Sequence, residues 1–202
     1  MFTEFSTGIT TFLFNVSILK FHGENGIAAM SIITYIYYFF IAMFFGISVG
    51  VSPIISYNFG AKNKNKIKES LNYSFITIAW SSIFIFLVSF FLGKYIILFF
   101  TNDLNVYNIA YFGLKLFSFG FLIIGVNIFM SNLFTSIGNG KISAIISISR
   151  SLVFVSICII LLPYFIGVNG IWLAIPIAEA ITIIFSLAYY FKYKQYILLE
   201  NY

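Results

Sequence analysis

Apolar residues run along this chain in blocks too long and too uniform for strands. The stretch SSIFIFLVSFFLGKYIILFF is apolar on every side, whereas a strand of an outer-membrane barrel alternates apolar and polar positions over about ten residues. A helix rises about 1.5 Å per residue, so about 20 apolar residues cross a hydrocarbon core about 30 Å thick. By that measure the pattern predicts six crossings, over about 2–19, 27–58, 73–100, 109–136, 142–165 and 171–191. Polar breaks separate them: KFHGENG, GAKNKNKIKES, TNDLN, GNGK and GVNG. The second run is long enough to tilt or kink, and Pro53 near its end is the expected bend. Pro163 and the GVNG turn are expected to stop the fifth run, and Pro176 lies inside the sixth. The expected fold class is all-α: a polytopic membrane bundle of six transmembrane helices, one unit over residues 1–202.

Composition strengthens this picture. Charged residues make up 8% of the chain, against about 25% in an ordinary soluble domain. With 61% hydrophobic and 21% aromatic residues, the sequence excludes a water-soluble globule, and it excludes disorder by the same measure. The start, MFTEFSTG, has an acid and no basic segment before its apolar run, so a cleaved signal peptide is not expected. Cys158 stands alone in ICIILL; no disulfide can form within the chain, and the thiol is expected to pack inside a helix.

Charge sets an expected orientation. The balance of 11 Lys+Arg against 6 Asp+Glu gives +5, too few and too scattered for a groove that tracks nucleic acid. Six crossings put both termini on one side. That side collects Lys62, Lys64, Lys66, Lys68, Lys141, Arg150, Lys192 and Lys194, eight in all, against Lys20, Lys94 and Lys115, three, on the other. An excess of basic residues marks the cytoplasmic face, so both termini are expected in the cytoplasm, with the chain multi-pass in the cell membrane. Lys94 and Lys115 sit close enough to the far face to snorkel. The KNKNKIK run reads first as a solvated loop that sets topology, and second as a contact for acidic lipid.

The residues that could carry chemistry are few. One His, one Cys and no clustered acids leave no metal-ligand spacing and no catalytic triad, so an enzyme is not expected. An acid within a membrane span costs roughly 2.5 kcal/mol or more at the centre, and is kept where it has a task or a partner. Glu4 and Glu179 are such acids. Glu179 lies eight residues into the sixth run, about 12 Å down. Two readings stand: coupling to a proton or cation, or to a cationic substrate; and a hydrogen-bonded acid that joins helices. Glu4 has the same functional reading, beside that of a headgroup-level acid favoured by a helix N-terminus. Asn15, Asn127 and Asn132 add amides whose plain role is interhelical hydrogen bonding. Gly46 and Gly50, four apart, are expected to let helices approach closely.

Four stretches in order carry a resemblance: FTEFSTGITTFLFN, GISVGVSPIISYNFGAKNKNKIKESL, FTSIGNGKISAIISISR and LPYFIGVNGIWLAIPIAEAI. Together they resemble the second six-helix lobe of multidrug and toxin extrusion (MATE) transporters. The resemblance implies a cation-coupled antiporter that expels small organic cations in exchange for sodium ions or protons, with no other cofactor. It also implies a bilayer setting and a partner, either a complementary N-terminal lobe or a second copy of the chain. Glu4 corresponds to an acid at the start of the family's seventh helix and Glu179 to an acid after a Pro in its twelfth. Asn127 lies near the place where some members carry an acid in the tenth helix; an amide can hold sodium but cannot take up a proton. Asn15 joins them as a coupling or substrate candidate, and Pro53 and Pro176 are the hinge candidates. The competing expectations are a relative of lipid-linked oligosaccharide flippases, for which Lys115 and Arg150 are the basic candidates, both expected near the surfaces, or an inactive truncated membrane protein.

Overall fold

The computed structural model describes the backbone of residues 2–198 and the side chains of residues 5–198. Among the described residues every regular element is helical. The order is α1 (Phe2–Gly60), α2 (Lys64–Phe100), α3 (Leu104–Phe117), α4 (Phe121–Ser136), α5 (Gly140–Ile148), α6 (Val155–Ile166) and α7 (Val168–Ile197). A 3-10 turn, Ser118–Gly120, joins α3 to α4, and a π-helical turn, Ser149–Phe154, joins α5 to α6. Five continuous stretches are long and apolar enough to cross a membrane: Phe5–Gly60, Lys64–Phe100, Leu104–Ser136, Gly140–Ile166 and Val168–Ile197.

The first of these covers two of the expected crossings. No loop separates them; helix runs through KFHGENG, and the break falls on Gly23, whose φ of 58° and ψ of −147° leave the helical region. A residue without Cβ accepts that backbone at little cost. Helix also invades the polar stretch after Gly60. Only Ala61–Asn63 is left outside helix, and Lys64, Lys66 and Lys68 ride on the first turns of α2. Asn63 caps that helix by accepting from the Lys66 N–H at 3.2 Å, and Lys66 pairs with Glu69 at 2.8 Å on the surface. Asp103 caps α3 through the N–H groups of Asn105 and Val106, and Asn139 caps α5, as short polar residues do at helix starts. Pro163 does not stop its helix; α6 continues to Ile166 and ends at Gly167, whose φ is 60°. The tail likewise stays helical to Ile197.

On α2 small side chains pack inward beside isoleucines, and the largest ones point outward. Along α2 the buried positions include Ser74, Ser82, Ser89 and Gly93 beside Ile67, Ile78 and Ile85. Trp80 is 71% exposed and Phe99 88% exposed. Without water to drive helices together, small residues that allow close approach are what bundles in lipid require. Several such contacts are tight: a Cβ on Gly113 would meet Trp172 at 2.8 Å, one on Gly125 would meet Phe44 at 2.6 Å, and one on Gly170 would meet the Leu162 backbone at 2.5 Å. Gly46 and Gly50 do not act this way. Nothing in the chain lies within 4 Å of a Cβ on either, and both line a groove of about 320 Å³ between α1 and α2. The apolar interior falls into two clusters, one around Ile33, Phe44, Phe121 and Trp172, the other around Ile67, Phe134, Ile142 and Ile197. Cys158 is buried in the first, in the packing role expected of it.

Candidate substrate cavity and buried ion pair

A cavity of about 940 Å³ opens between α1, α4, α5, the π-helical turn and α7. Its two sides differ in chemistry. The α1 wall is largely aromatic and hydroxylic, with Thr11, Phe14, Tyr35, Tyr37, Tyr38 and Phe45. The lining from α4, α5 and the π-helical turn is polar, with Ser131, Asn132, Ser143, Ser147, Arg150 and Ser151. Glu179 of α7 reaches the same space.

The serines form a connected ladder between α4 and α5. Ser131 Oγ shares a hydrogen bond with Ser147 Oγ at 2.6 Å and another with Ser143 Oγ at 3.0 Å. Thr135 donates to Ser143 Oγ at 2.7 Å, and Ser151 donates to the Ser147 carbonyl at 2.8 Å. Residues four apart share one helix face, so the spacing of Ser143, Ser147 and Ser151 carries hydroxyls from the end of α4 toward Arg150.

Arg150 sits on the π-helical turn. The buried positions before it, Ile142 and Ile146, resume only at Val155. That gap of nine residues exceeds the seven or so of two α turns, and the wide π turn absorbs the extra length. Arg150 Nη1 donates to Glu179 Oε1 at 3.2 Å. Asn127 Nδ2 donates to Glu179 Oε2 at 2.7 Å and to the Glu179 carbonyl at 3.0 Å. Asn127 is fully buried and Glu179 is 1% exposed. Asn127 Oδ1 is buried with no hydrogen-bond partner among the described residues. Pro176 lies one turn before Glu179 in α7 and is buried there.

Five of the candidates from sequence can be placed. Glu179 and Asn127 meet directly, and Asn15 lines the cavity. Pro53 and Pro176 both lie inside helices, α1 and α7. Glu4 belongs to α1 by backbone, and its side chain lies outside the described residues. Arg150 requires a correction. It is not a loop charge near a surface but a cavity residue paired with Glu179. Removing it from the orientation count leaves seven basic residues (eight minus one) against three. Lys115 lies over the Tyr111 ring at 4.6 Å and the Phe90 ring at 5.6 Å, outside the cavity lining. The four-residue hydroxyl spacing of α5 was present in the sequence as a signal for the polar wall; Arg150, at its end, was hidden by its charge, which fits a membrane-surface residue equally well.

A membrane-embedded helical bundle with a buried ion pair on the wall of a polar cavity has the make-up of a transport protein's lobe. A family model described as MatE matches residues 1–160, and the chain belongs to that family. The multidrug export protein MepA of Staphylococcus haemolyticus (strain JCSC1435) is 26% identical over 174 residues, 86% of this chain and 38% of the relative. The chain thus spans about two-fifths of the length of the curated relatives it matches. Among solved structures, a MATE protein in complex with MaL6 superposes with a TM-score of 0.89 at 17% identity, over 97% of this chain and 45% of the other. The outward-facing conformation of a MATE multidrug resistance transporter of the MOP superfamily gives 0.88 at 18% identity, over 96% and 44%. The fold is therefore MATE-like, and the extent of the match corresponds to about one lobe. The relatives are transporters rather than enzymes.

Proposed function

We propose that this chain is the second lobe of a cation-coupled multidrug antiporter, exporting small organic cations in exchange for sodium ions or protons and acting together with another lobe. The observation that carries the reading is the buried Glu179 carboxylate, held by Asn127 and Arg150 at the wall of a cavity large enough for a drug-sized molecule. An acid placed this deep in a membrane bundle marks an ion or substrate pathway. In this proposal α1 crosses twice, divided at Gly23, which makes six crossings. Both termini face the cytoplasm, as the seven-to-three distribution of basic residues favours.

The local chemistry favours sodium. Asn127 Oδ1 is a buried acceptor without a partner among the described residues, on the same side chain that holds Glu179. A sodium ion takes oxygen ligands, and the carboxylate and this amide oxygen supply two; a proton would use the carboxylate alone. A cation on Glu179 competes with Arg150 for the carboxylate and loosens the link between α7 and the π-helical turn. Alternating access needs one bundle to move against another. Loosening that link biases the movement, with Pro176 and Pro53 as the points where α7 and α1 bend. Glu4 is the second coupling candidate and Asn15 a substrate contact.

Ethidium efflux from a pump-deficient host tests this, with the chain expressed alone and with a first-lobe half. Efflux restored only in the pair is the expected result. Stable insertion without efflux in either case overturns the transport reading and leaves an inactive membrane protein.

A further inference from the structure

The groove of about 320 Å³ between α1 and α2 is left open by the chain. Gly46, Gly50 and Ile54 of α1 line it, together with Ser70, Tyr73 and Thr77 of α2. Its depth follows from the two helices independently. Along α1, Ile54 and Gly46 lie six and fourteen residues before Gly60; along α2, Ser70 and Thr77 lie six and thirteen after Lys64. At about 1.5 Å per residue, both counts run the groove from about 9 Å to about 20 Å below the turn that joins the helices. One leaflet has about 15 Å of hydrocarbon under a headgroup layer of about 5–7 Å. The groove thus starts just under the headgroups and ends near the midplane, the course of one acyl chain. The serines beside it keep their protons within the helix: Ser70 Oγ donates to the Lys66 carbonyl at 2.7 Å, and Ser74 Oγ to the Ser70 carbonyl at 2.6 Å. A hydrocarbon tail there strands neither donor.

The end of the groove nearest the turn is charged. Lys62, Lys64, Lys66 and Lys68 cluster there against Glu69, four charges minus one, a net +3. Lys66 stands one helical turn before Ser70 and two before Tyr73, on the row of α2 that lines the groove. Its side chain is 59% exposed, and its 2.8 Å bond to Glu69 is a surface pair, a kind that contributes little and opens readily. Helix side chains tilt toward the helix start, so the exposed Tyr73 leans toward this basic end. A neighbouring helix could also seat over Gly46 and Gly50, but it would make no use of the lysines. Charge complementarity favours an anionic head on an apolar tail. We propose that the groove binds one acyl chain of an anionic glycerophospholipid, whose phosphate lies against the lysines at the start of α2. The proposal needs the bundle to lie in a bilayer and does not depend on the transport reading.

The test titrates the purified chain in mild detergent with dioleoyl-phosphatidylglycerol and, separately, dioleoyl-phosphatidylcholine, counting bound lipids by native mass spectrometry. The first phosphatidylglycerol is expected to bind at least about tenfold more tightly than the first phosphatidylcholine, given three net charges beside the phosphate. The triple variant Lys64→Gln/Lys66→Gln/Lys68→Gln should abolish that preference while leaving phosphatidylcholine binding as it was. Gly50→Leu fills the groove at a position with nothing within 4 Å of a Cβ, and should weaken binding of the first lipid of either kind at least about fivefold. Equal binding of the two lipids to the unaltered chain overturns the proposal, as does a preference that survives the triple variant. A preference untouched by Gly50→Leu means a headgroup adsorbed on the lysines alone, or a groove filled by another helix, and overturns it too. A second measurement needs no variant. Trp80 follows Tyr73 by seven residues and Thr77 by three, on the same row of α2; it is exposed, and Trp172 is buried. In phosphatidylcholine vesicles, phosphatidylglycerol with brominated chains should quench Trp80 at least about twofold more than brominated phosphatidylcholine at equal mole fraction. If Gly50→Leu fails to fold, this measurement decides, and equal quenching overturns the proposal.

Discussion

Glu179 is kept at 1% exposure by an amide and a guanidinium from two different elements. Removing one member of such a pair strands the other in a place where water cannot solvate it. In Arg150→Gln the orphan is a buried carboxylate, and breaking a buried pair in this way typically costs about 3–5 kcal/mol. In Glu179→Gln the orphan is Arg150, which can turn into the cavity, so the cost is expected to be smaller. The double variant Arg150→Gln/Glu179→Gln leaves no unpaired charge and should be more stable than Arg150→Gln alone. Unfolding of the three variants in mild detergent measures this; a double variant that loses the sum of the two single losses would show the contact to be energetically idle. For function, Glu179→Gln should cut efflux by the paired lobes at least about tenfold, and Asn127→Asp should move the cation dependence from sodium toward protons. Efflux measured at fixed pH with and without sodium reads both.

Among the elements, α6 and α7 meet where Gly170 faces the Leu162 backbone, with 2.5 Å left for a Cβ. Backbone atoms cannot rotate away as a flexible side chain can, so Gly170→Ala should destabilise the chain by about 1–3 kcal/mol. Gly46→Ala, with nothing within 4 Å, should be neutral or mildly stabilising, because Ala forms helix better by about 1 kcal/mol. Thermal shift in detergent separates the two, and a loss at Gly46 as large as at Gly170 would mean that α1 is packed there after all. The pair also marks what sequence conveys. The apolar runs located the long apolar helices, because lipid thickness sets a minimum length for an apolar run. A spacing of small residues says only that helices could approach, and α1 leaves Gly46 and Gly50 facing a groove. Loop lengths were overestimated for a related reason. Polar residues such as Lys64, Lys66 and Lys68 satisfy their own charge at the bilayer edge while remaining helical, so a polar stretch there does not end a helix. The site was half legible. Glu179 and Asn127 were singled out because polar groups are costly in a span; Arg150 was not, since the π-helical turn that swings it into the cavity leaves no mark in the pattern of apolar residues.

At the scale of the molecule, the question is how a helix of 59 residues fits a membrane. Unbroken, it would be about 88 Å long at 1.5 Å per residue, nearly three hydrocarbon thicknesses. The break at Gly23 resolves this, because residues from both sides of it, Thr10 and Phe14 before and Met30 and Thr34 after, line the same cavity. A chain that continued straight could not return to one hollow, so α1 bends back at Gly23; in the proposed reading each of its two parts crosses the bilayer. This has a consequence that labelling can reach. Glu24, at the break, is exposed, and so is Lys62, after α1 ends, which places them on opposite faces if the second part crosses once. With Cys158→Ser as background, Glu24→Cys and Lys62→Cys should react with a membrane-impermeant maleimide from opposite sides. In intact cells Glu24→Cys should be labelled and Lys62→Cys protected until the membrane is opened, given a cytoplasmic basic face. Labelling of both from one side would remove the sixth crossing. The cavity would then have no closed wall along α1, and the lobe could not take part in alternating access.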